Sequence, residues 1–262
     1  MTVFGPATIG GVDVTPAQRA LIAALALAGP SGADIGTLAD AVWSGRPPKS
    51  ARASLQNQMT RLRRTHGEDL IVCEQARYRL GRATDVERFE TLVDSASSND
   101  AATIVERLEV ALAHWRGVPF EDVDAQQAHV ERARLGERRA AAIERLTLAR
   151  FDLGTVDAVV LDLRVEVERD PFRDRNWELL VIALHRSGRR AEALLVLDDH
   201  ARRLRHEFGT APSSRMADLG DLIRTGEVVL GGPSHHAAAD AHRPRSARRC
   251  RVRPHRGYHR AE

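Results

Sequence analysis

The sequence predicts a mainly α-helical protein in two parts: a small α+β head over residues 1–84 and an all-α body over 85–230, with a polar tail at 231–262. Three observations point there. Strand signals are confined to the head. In the body, apolar residues recur at helical spacing from Ile104 to Ile223. Aromatic residues make up only 4% of the chain, so its cores rest on Leu, Val, Ile and Ala, which suits packed helices. A length of 262 residues is enough for two domains of ordinary size.

The head opens with a hairpin signal, Val3 to Ile9 and Val12 to Val14 around Gly10-Gly11, whose glycines accept a positive φ. Thr15 fits an N-cap with Pro16 at the first helical position, and Leu21, Leu25 and Ala28 face inward until Gly29-Pro30. Asp34 caps a second helix carrying Ile35, Leu38, Ala39 and Val42, with Trp43 at its end. Ser44-Gly45-Arg46-Pro47-Pro48 is a loop, because two prolines and a glycine cannot continue a helix. A third helix follows over residues 50–66, and then a second hairpin, Leu70 to Cys73 and Tyr78 to Leu80, turning near Gln75-Ala76-Arg77. Hairpin, helix, helix, loop, helix and hairpin in that order describe a winged helix-turn-helix. A small α+β fold of the same order with no nucleic-acid role fits the pattern too.

The third helix carries the sharpest functional signal. Ala51, Leu55, Met59, Leu62 and His66 fall on one side at 100° per residue. The other side collects Ser50, Ala53, Asn57, Thr60, Arg61 and Arg64, with Gln56 and Arg63 on its flank, and no carboxylate lies between Lys49 and Gly67. Arg can fork onto guanine and Asn or Gln onto adenine in a major groove, while further Arg and Thr side chains hold phosphates. The candidate DNA-binding residues are therefore Arg52, Gln56, Asn57, Thr60, Arg61, Arg63, Arg64 and, on the second hairpin, Arg77. An ordinary solvated helix face would show a similar composition.

The body reads as a series of helices. Ile104, Leu108, Ala111, Leu112 and Trp115 form one stripe, ended by Gly117-Val118-Pro119. Leu135, Ile143, Leu146 and Leu153 mark a long helix up to Gly154, and Val156, Val159, Val160, Leu163 and Val167 mark the next, stopped by Pro171. Trp177, Leu180, Leu184, Gly188, Ala193 and Leu197 have tetratricopeptide-like spacing, a pattern of stacked helical hairpins that favours protein contact over catalysis. Ala201, Leu204 and Phe208 continue the second of these helices, and Pro212-Ser213 opens a last one with Met216, Leu219, Leu222 and Ile223. The tail contains no Leu or Ile and is expected to be disordered; its five histidines lack partners at metal-ligand offsets.

Charge is distributed unevenly. The head carries a net +4, the body −7 and the tail +6, with a single lysine, Lys49, against 38 arginines. A basic head on an acidic body suits a head that meets a polyanion and a body that meets protein. Cys73 and Cys250 form neither a disulfide framework nor a metal spacing, so a reducing, cytoplasmic setting is expected. The longest apolar run, Ala20 to Ala28, is too short for a membrane helix. No phosphate loop, nucleophile elbow, zinc-binding helix motif or dinucleotide fingerprint appears, and Asp198-Asp199-His200 reads as a solvated helix face. Neither an enzyme nor a cofactor or metal is expected. A protein-interaction adaptor whose winged helix does not bind DNA is the alternative to a DNA-binding regulator.

The chain resembles the Streptomyces antibiotic regulatory protein family, in which a response-regulator-type winged helix precedes a bacterial transcriptional activation domain. The resemblance runs from about Val3 to Glu227. In the head it rests on Phe4-Gly5-Pro6, Gln18-Arg19-Ala20-Leu21, Val42-Trp43, Pro47-Pro48-Lys49-Ser50-Ala51-Arg52, Leu55-Gln56, Thr60 to Arg64 and Tyr78-Arg79-Leu80. In the body it rests on Arg88-Phe89-Glu90, Trp115-Arg116-Gly117, Arg186 to Leu194, Glu207-Phe208-Gly209 and Pro212-Ser213. It implies a transcriptional activator of secondary-metabolite genes that binds tandem direct repeats near promoters, recruits RNA polymerase and forms a homodimer on DNA. It also implies that the loop Ser44, Gly45, Arg46, Pro47, Pro48 and Lys49 faces polymerase or a second protomer. Departures from the family pattern are Asn57-Gln58 in place of a more apolar or aromatic pair, Ala17 in place of a lysine, and Arg77 where the wing usually has glycine.

Overall fold

The computed structural model describes residues 1–97 and 100–226, so the expectations for the tail and for Cys250 fall outside the described residues. The head begins with a two-residue antiparallel pair, β1 (Thr8–Ile9) and β2 (Val12–Asp13), in register Thr8 to Asp13 and Ile9 to Val12. The sequence extends the first strand back to Val3, but Val3 and Phe4 pair elsewhere. The Phe120 N–H donates to the Val3 carbonyl at 2.8 Å, and the Gly5 N–H donates to the Val118 carbonyl at 3.0 Å. Gly5 and Gly117 make this crossing possible, since a Cβ on Gly117 would stand 2.9 Å from the Gly5 Cα.

Helix α1 (Pro16–Ala28) starts from a reciprocal cap in which the Gln18 N–H donates to the Thr15 hydroxyl and the Thr15 N–H donates to the Gln18 side chain. Its residues Leu21 to Leu25 are all buried, because the helix is packed on more than one side. Helix α2 (Ile35–Val42) is capped by Asp34, whose carboxylate accepts from the Gly36 and Thr37 N–H groups at 2.8 and 3.0 Å. The Thr37 hydroxyl and these amides hold the Asp34 pKa below its ordinary value. Helix α3 (Ala51–His66) follows the proline loop, and a single 3-10 turn (Glu68–Leu70) leads into the wing, β3 (Ile71–Glu74) paired with β4 (Arg77–Leu80). Leu21, Ile22, Leu25, Leu38, Leu55, Met59 and Leu62 are all within 2% of complete burial. Each such side chain contributes roughly 1.5–3 kcal/mol of transfer free energy.

The body consists of α4 (Asp85–Ser95), α5 (Ala101–Ala113), α6 (Gln126–Asp152), α7 (Val156–Arg169), α8 (Asp174–Arg186), α9 (Arg190–Phe208) and α10 (Ser214–Thr225). Periodicity does not mark α4, which is 11 residues long and buries only Asp85, Val86, Phe89 and Val93. Its signal is the cap, Thr84 with Glu87 three residues on. Helices α8 and α9 form the tetratricopeptide-like hairpin, joined at Gly188 (φ +76°) and brought close by Ala193, which is fully buried.

Two corrections concern α9. His200 is not on a solvated face: it is fully buried, its ring stacks on Trp177 at 4.9 Å, and Nε2 lies 2.8 Å from the Asp174 carboxylate. Phe208, read as part of the apolar stripe, is instead 58% exposed and meets Phe172 edge-on at 4.7 Å. One buried cluster runs without a break from Val3 through the head to Leu146 of α6, and a second runs from Ile143 and Phe151 of α6 through α10. The junction at residue 85 is therefore packed. Asp85 is 2% exposed, and its carboxylate accepts from the Val3 and Phe4 N–H groups at 2.8 and 3.2 Å.

Candidate nucleic-acid interface

Helix α3 is held from below by Ala51, Leu55, Met59 and Leu62, all buried, so its register on the head is determined. The same rotation presents Arg52, Gln56, Asn57, Thr60, Arg61 and Arg64 to solvent. The Thr60 hydroxyl donates back to the Gln56 carbonyl at 2.9 Å. The side chains of Arg52, Gln56, Asn57, Arg61 and Arg64 form no hydrogen bond or ion pair with any described residue. Ser50 gives no side-chain cap, and the first turn of α3 holds no acidic residue. That leaves an open helix N-terminus with its positive dipole end beside Lys49 and Arg52.

The loop before α3 is exposed from Ser44 to Ser50. It is shaped by Ser44 (φ +51°) and Gly45 (φ +75°), with the Gly45 N–H reaching the Asp40 carbonyl at 2.7 Å. Ser44, Gly45, Arg46, Pro47, Pro48 and Lys49 thus form one projecting surface next to the α3 N-terminus.

Besides Thr60, two of the eight expected residues have partners within the fold. Arg63 is half-buried, and its Nε donates to the Ile71 carbonyl at 2.8 Å, tying the recognition helix to the first wing strand. Arg77 lies inside β4, and its Nε and Nη2 donate to the Ser31 and Gly32 carbonyls at 2.9 and 2.5 Å. The positive φ values of the wing turn fall on Gln75 (+48°) and Ala76 (+59°), so Arg77 itself carries no left-handed strain. Nearby, Ala33 and Tyr78 exchange backbone hydrogen bonds, attaching the wing to the α1–α2 loop.

Sequence reasoning missed Arg82. Its guanidinium grips Asp69 at 2.7 and 2.6 Å and donates to the His66 carbonyl at 2.9 Å, closing the C-terminal end of α3. This contact holds the Asp69 carboxyl below its ordinary pKa and raises that of Arg82. The pair lies 13 residues apart across a hairpin, where no local spacing rule reaches, and Gly81 admits it because a Cβ there would stand 2.0 Å from the Asp69 carbonyl oxygen. Among the described residues no group of three or more His, Cys, Asp or Glu side chains could hold a metal ion, and no helix is long and apolar enough to cross a membrane. Cys73 is an exposed free thiol on β3.

Residues 84–224 match the family model described as the bacterial transcriptional activator domain. The chain is 34% identical to the regulatory protein AfsR of Streptomyces coelicolor, over 87% of this chain and 24% of that protein. It is 29% identical to the regulatory protein DnrI of Streptomyces peucetius, over 91% of this chain and 97% of that one. The chain thus spans about a quarter of AfsR and nearly all of DnrI. Among solved structures, EmbR of Mycobacterium tuberculosis, in complex with a low affinity phosphopeptide, superposes with a TM-score of 0.74 at 26% identity, covering 87% of this chain and 65% of that one. With a winged head carrying a basic, carboxylate-free third helix and an activator domain over most of its body, this chain belongs to the Streptomyces antibiotic regulatory protein family of transcriptional regulators.

Proposed function

We propose that this chain is a sequence-specific DNA-binding transcriptional activator acting in the cytoplasm, a binding protein with no catalytic step. In this reading α3 enters the major groove, with Gln56, Asn57 and Arg61 at base edges and Arg52, Thr60 and Arg64 at phosphates. The wing lies along the backbone, steadied by Arg63 and Arg77. One observation carries the reading: a row of outward amide and guanidinium groups without internal partners stands on a helix whose other face and C-terminal end are both anchored. Side chains that satisfy nothing within the fold, held at a defined rotation, are what groove readout requires.

Membership of the family supports the remaining parts of the proposal. These are occupancy of tandem direct repeats near promoters, homodimerisation on DNA, recruitment of RNA polymerase through Ser44 to Lys49 and the acidic body, and control of secondary-metabolite genes. The experiment is selection of bound duplexes from a random pool at physiological salt. Enrichment of a motif repeated about one helical turn apart supports the reading. Binding without enrichment that disappears as salt rises counts against it, because counterion release alone gives that behaviour.

A further inference from the structure

Arg77, Arg79 and Arg82 stand in the wing and just after it, and a single acidic residue, Glu74, lies between Asp69 and Asp85. The hairpin register sets Glu74 against Arg77 and Val72 against Arg79. Paired residues share a face and side chains alternate along a strand, so Glu74, Arg77 and Arg79 project from one side of the wing. The other side carries Ile71, which is buried, with Tyr78 and Leu80 packed on the core, and is therefore the inner one.

The three guanidinium groups are held very differently. Arg77 donates to the Ser31 and Gly32 carbonyls, and Arg82 grips Asp69 through two nitrogens and reaches the His66 carbonyl. Arg79 has one partner among the described residues: its Nη2 donates to Glu74 Oε1 at 2.8 Å, with side chains 35% and 66% exposed. A single-point ion pair this exposed adds little to stability and is easily exchanged. The pair borders an open cleft of about 460 Å³ between the outer side of the wing and the Pro30-Ser31-Gly32 loop. The charged groups on its walls are Arg77, Arg79 and Glu74. Arg77 is committed to backbone carbonyls, so Arg79 is the cation there that can change partner, and Glu74 is the group that opposes an incoming anion.

We propose that Glu74 is a displaceable counter-ion for Arg79: a DNA phosphate entering this cleft takes Arg79 from it, and Glu74 thereby sets how strongly the wing holds any duplex. The inference rests on the DNA-binding reading above, in which the wing lies along the sugar-phosphate backbone. In the exchange one charged hydrogen bond replaces another, while the carboxylate is left beside a polyanion. The wing contact is then weaker than an unopposed arginine would give, and sequence-independent attraction is held down. Arg79 is a further phosphate-binding residue in this account, and Glu74 tunes affinity through it.

The test is a double-mutant cycle on the full chain, read by binding titrations on the selected site and on a scrambled duplex between about 50 and 200 mM salt. Glu74→Gln is expected to tighten both duplexes by about threefold or more at the low end of that range and to steepen the salt slope by about one. Its thermal midpoint should stay within about 2 °C of wild type, as an exposed pair allows. Arg79→Ala is expected to weaken both duplexes, and to cost about threefold more in the Glu74→Gln background than in wild type, the scale of the exposed pair that wild type must give up. Wild-type protein without salt-dependent binding to either duplex overturns this inference together with the DNA-binding reading. Wild-type binding that Glu74→Gln leaves unchanged, or a cost of Arg79→Ala that is equal in both backgrounds, overturns this inference alone.

Discussion

Phe4 and Trp115 stand with ring centroids 4.4 Å apart, the first in the segment that precedes β1 and the second two residues past the end of α5. Phe89 of α4 closes on both, at 5.7 and 5.6 Å, in edge-on geometry. The head and the first helices of the body therefore share one core and are expected to unfold together. Phe4→Ala should cost about 3–5 kcal/mol, the range for a buried aromatic, and shift a single transition rather than split it. Denaturant titration followed by both tryptophan fluorescence and far-ultraviolet circular dichroism checks this. Two separated transitions in the wild type would contradict it.

Asp85 gives the junction a pH signature. Burial pushes its pKa above the ordinary 3.8, while the N–H groups of Val3, Phe4 and Val86 pull the other way and only partly compensate. A carboxyl whose folded pKa is raised contributes stability that is fully present below its unfolded pKa and is lost as pH rises through the folded value. Asp85→Asn removes that titration. The stability of the Asn variant relative to wild type should therefore rise as pH climbs above the ordinary carboxyl value and level off once Asp85 is ionised in the folded state, as urea midpoints across the acid range would show. A relative stability that falls over the same range would show the hydrogen bonds to dominate.

On α3 the predictions separate by role. Asn57→Ala and Arg61→Ala should each lose roughly 1–3 kcal/mol of discrimination at particular base pairs, with thermal stability unchanged. Arg52→Ala and Arg64→Ala should weaken all sequences alike and lower the salt slope by about one each. Binding titrations on the selected site and on scrambled duplexes, at three salt concentrations, distinguish these patterns. Four variants with the same profile would mean that the docking face is wrongly assigned.

Arg63 and Arg77 behave differently because their guanidinium groups hold backbone carbonyls. Each alanine variant should lose about 0.5–1.5 kcal/mol per hydrogen bond in stability, alongside any loss in DNA affinity. In the same wing, Ala76→Gly should stabilise by about 1 kcal/mol, since a left-handed φ is penalised for a residue with a Cβ. Thermal melts of the three variants check both signs.

His200→Ala should destabilise by about 2–4 kcal/mol, because it empties a fully enclosed site and removes the partner of both Trp177 and Asp174. A change within about 0.5 kcal/mol, the scale of a surface substitution, would restore the solvated-face reading.

Local order was legible in the sequence wherever it rests on nearest-neighbour physics. Thr15 with Pro16, Asp34, the Pro47-Pro48 loop, Gly188 and the stripe Ala51, Leu55, Met59 and Leu62 each state their role within a few residues. That is enough for the element order and for the outward face of α3. Helix α4 was less legible, since a short helix with four buried positions has little periodicity to detect. The tertiary structure alone decided which arginines are free. Arg61 and Arg63 are two residues apart and alike in composition, but a rotation of 200° sends one to solvent and the other to the Ile71 carbonyl. It also decided that Phe4 packs on Trp115, that His200 is sealed against Trp177, and that Arg82 closes on Asp69. These pairings join residues from 13 to 111 positions apart, and only the packing of whole elements brings such partners together.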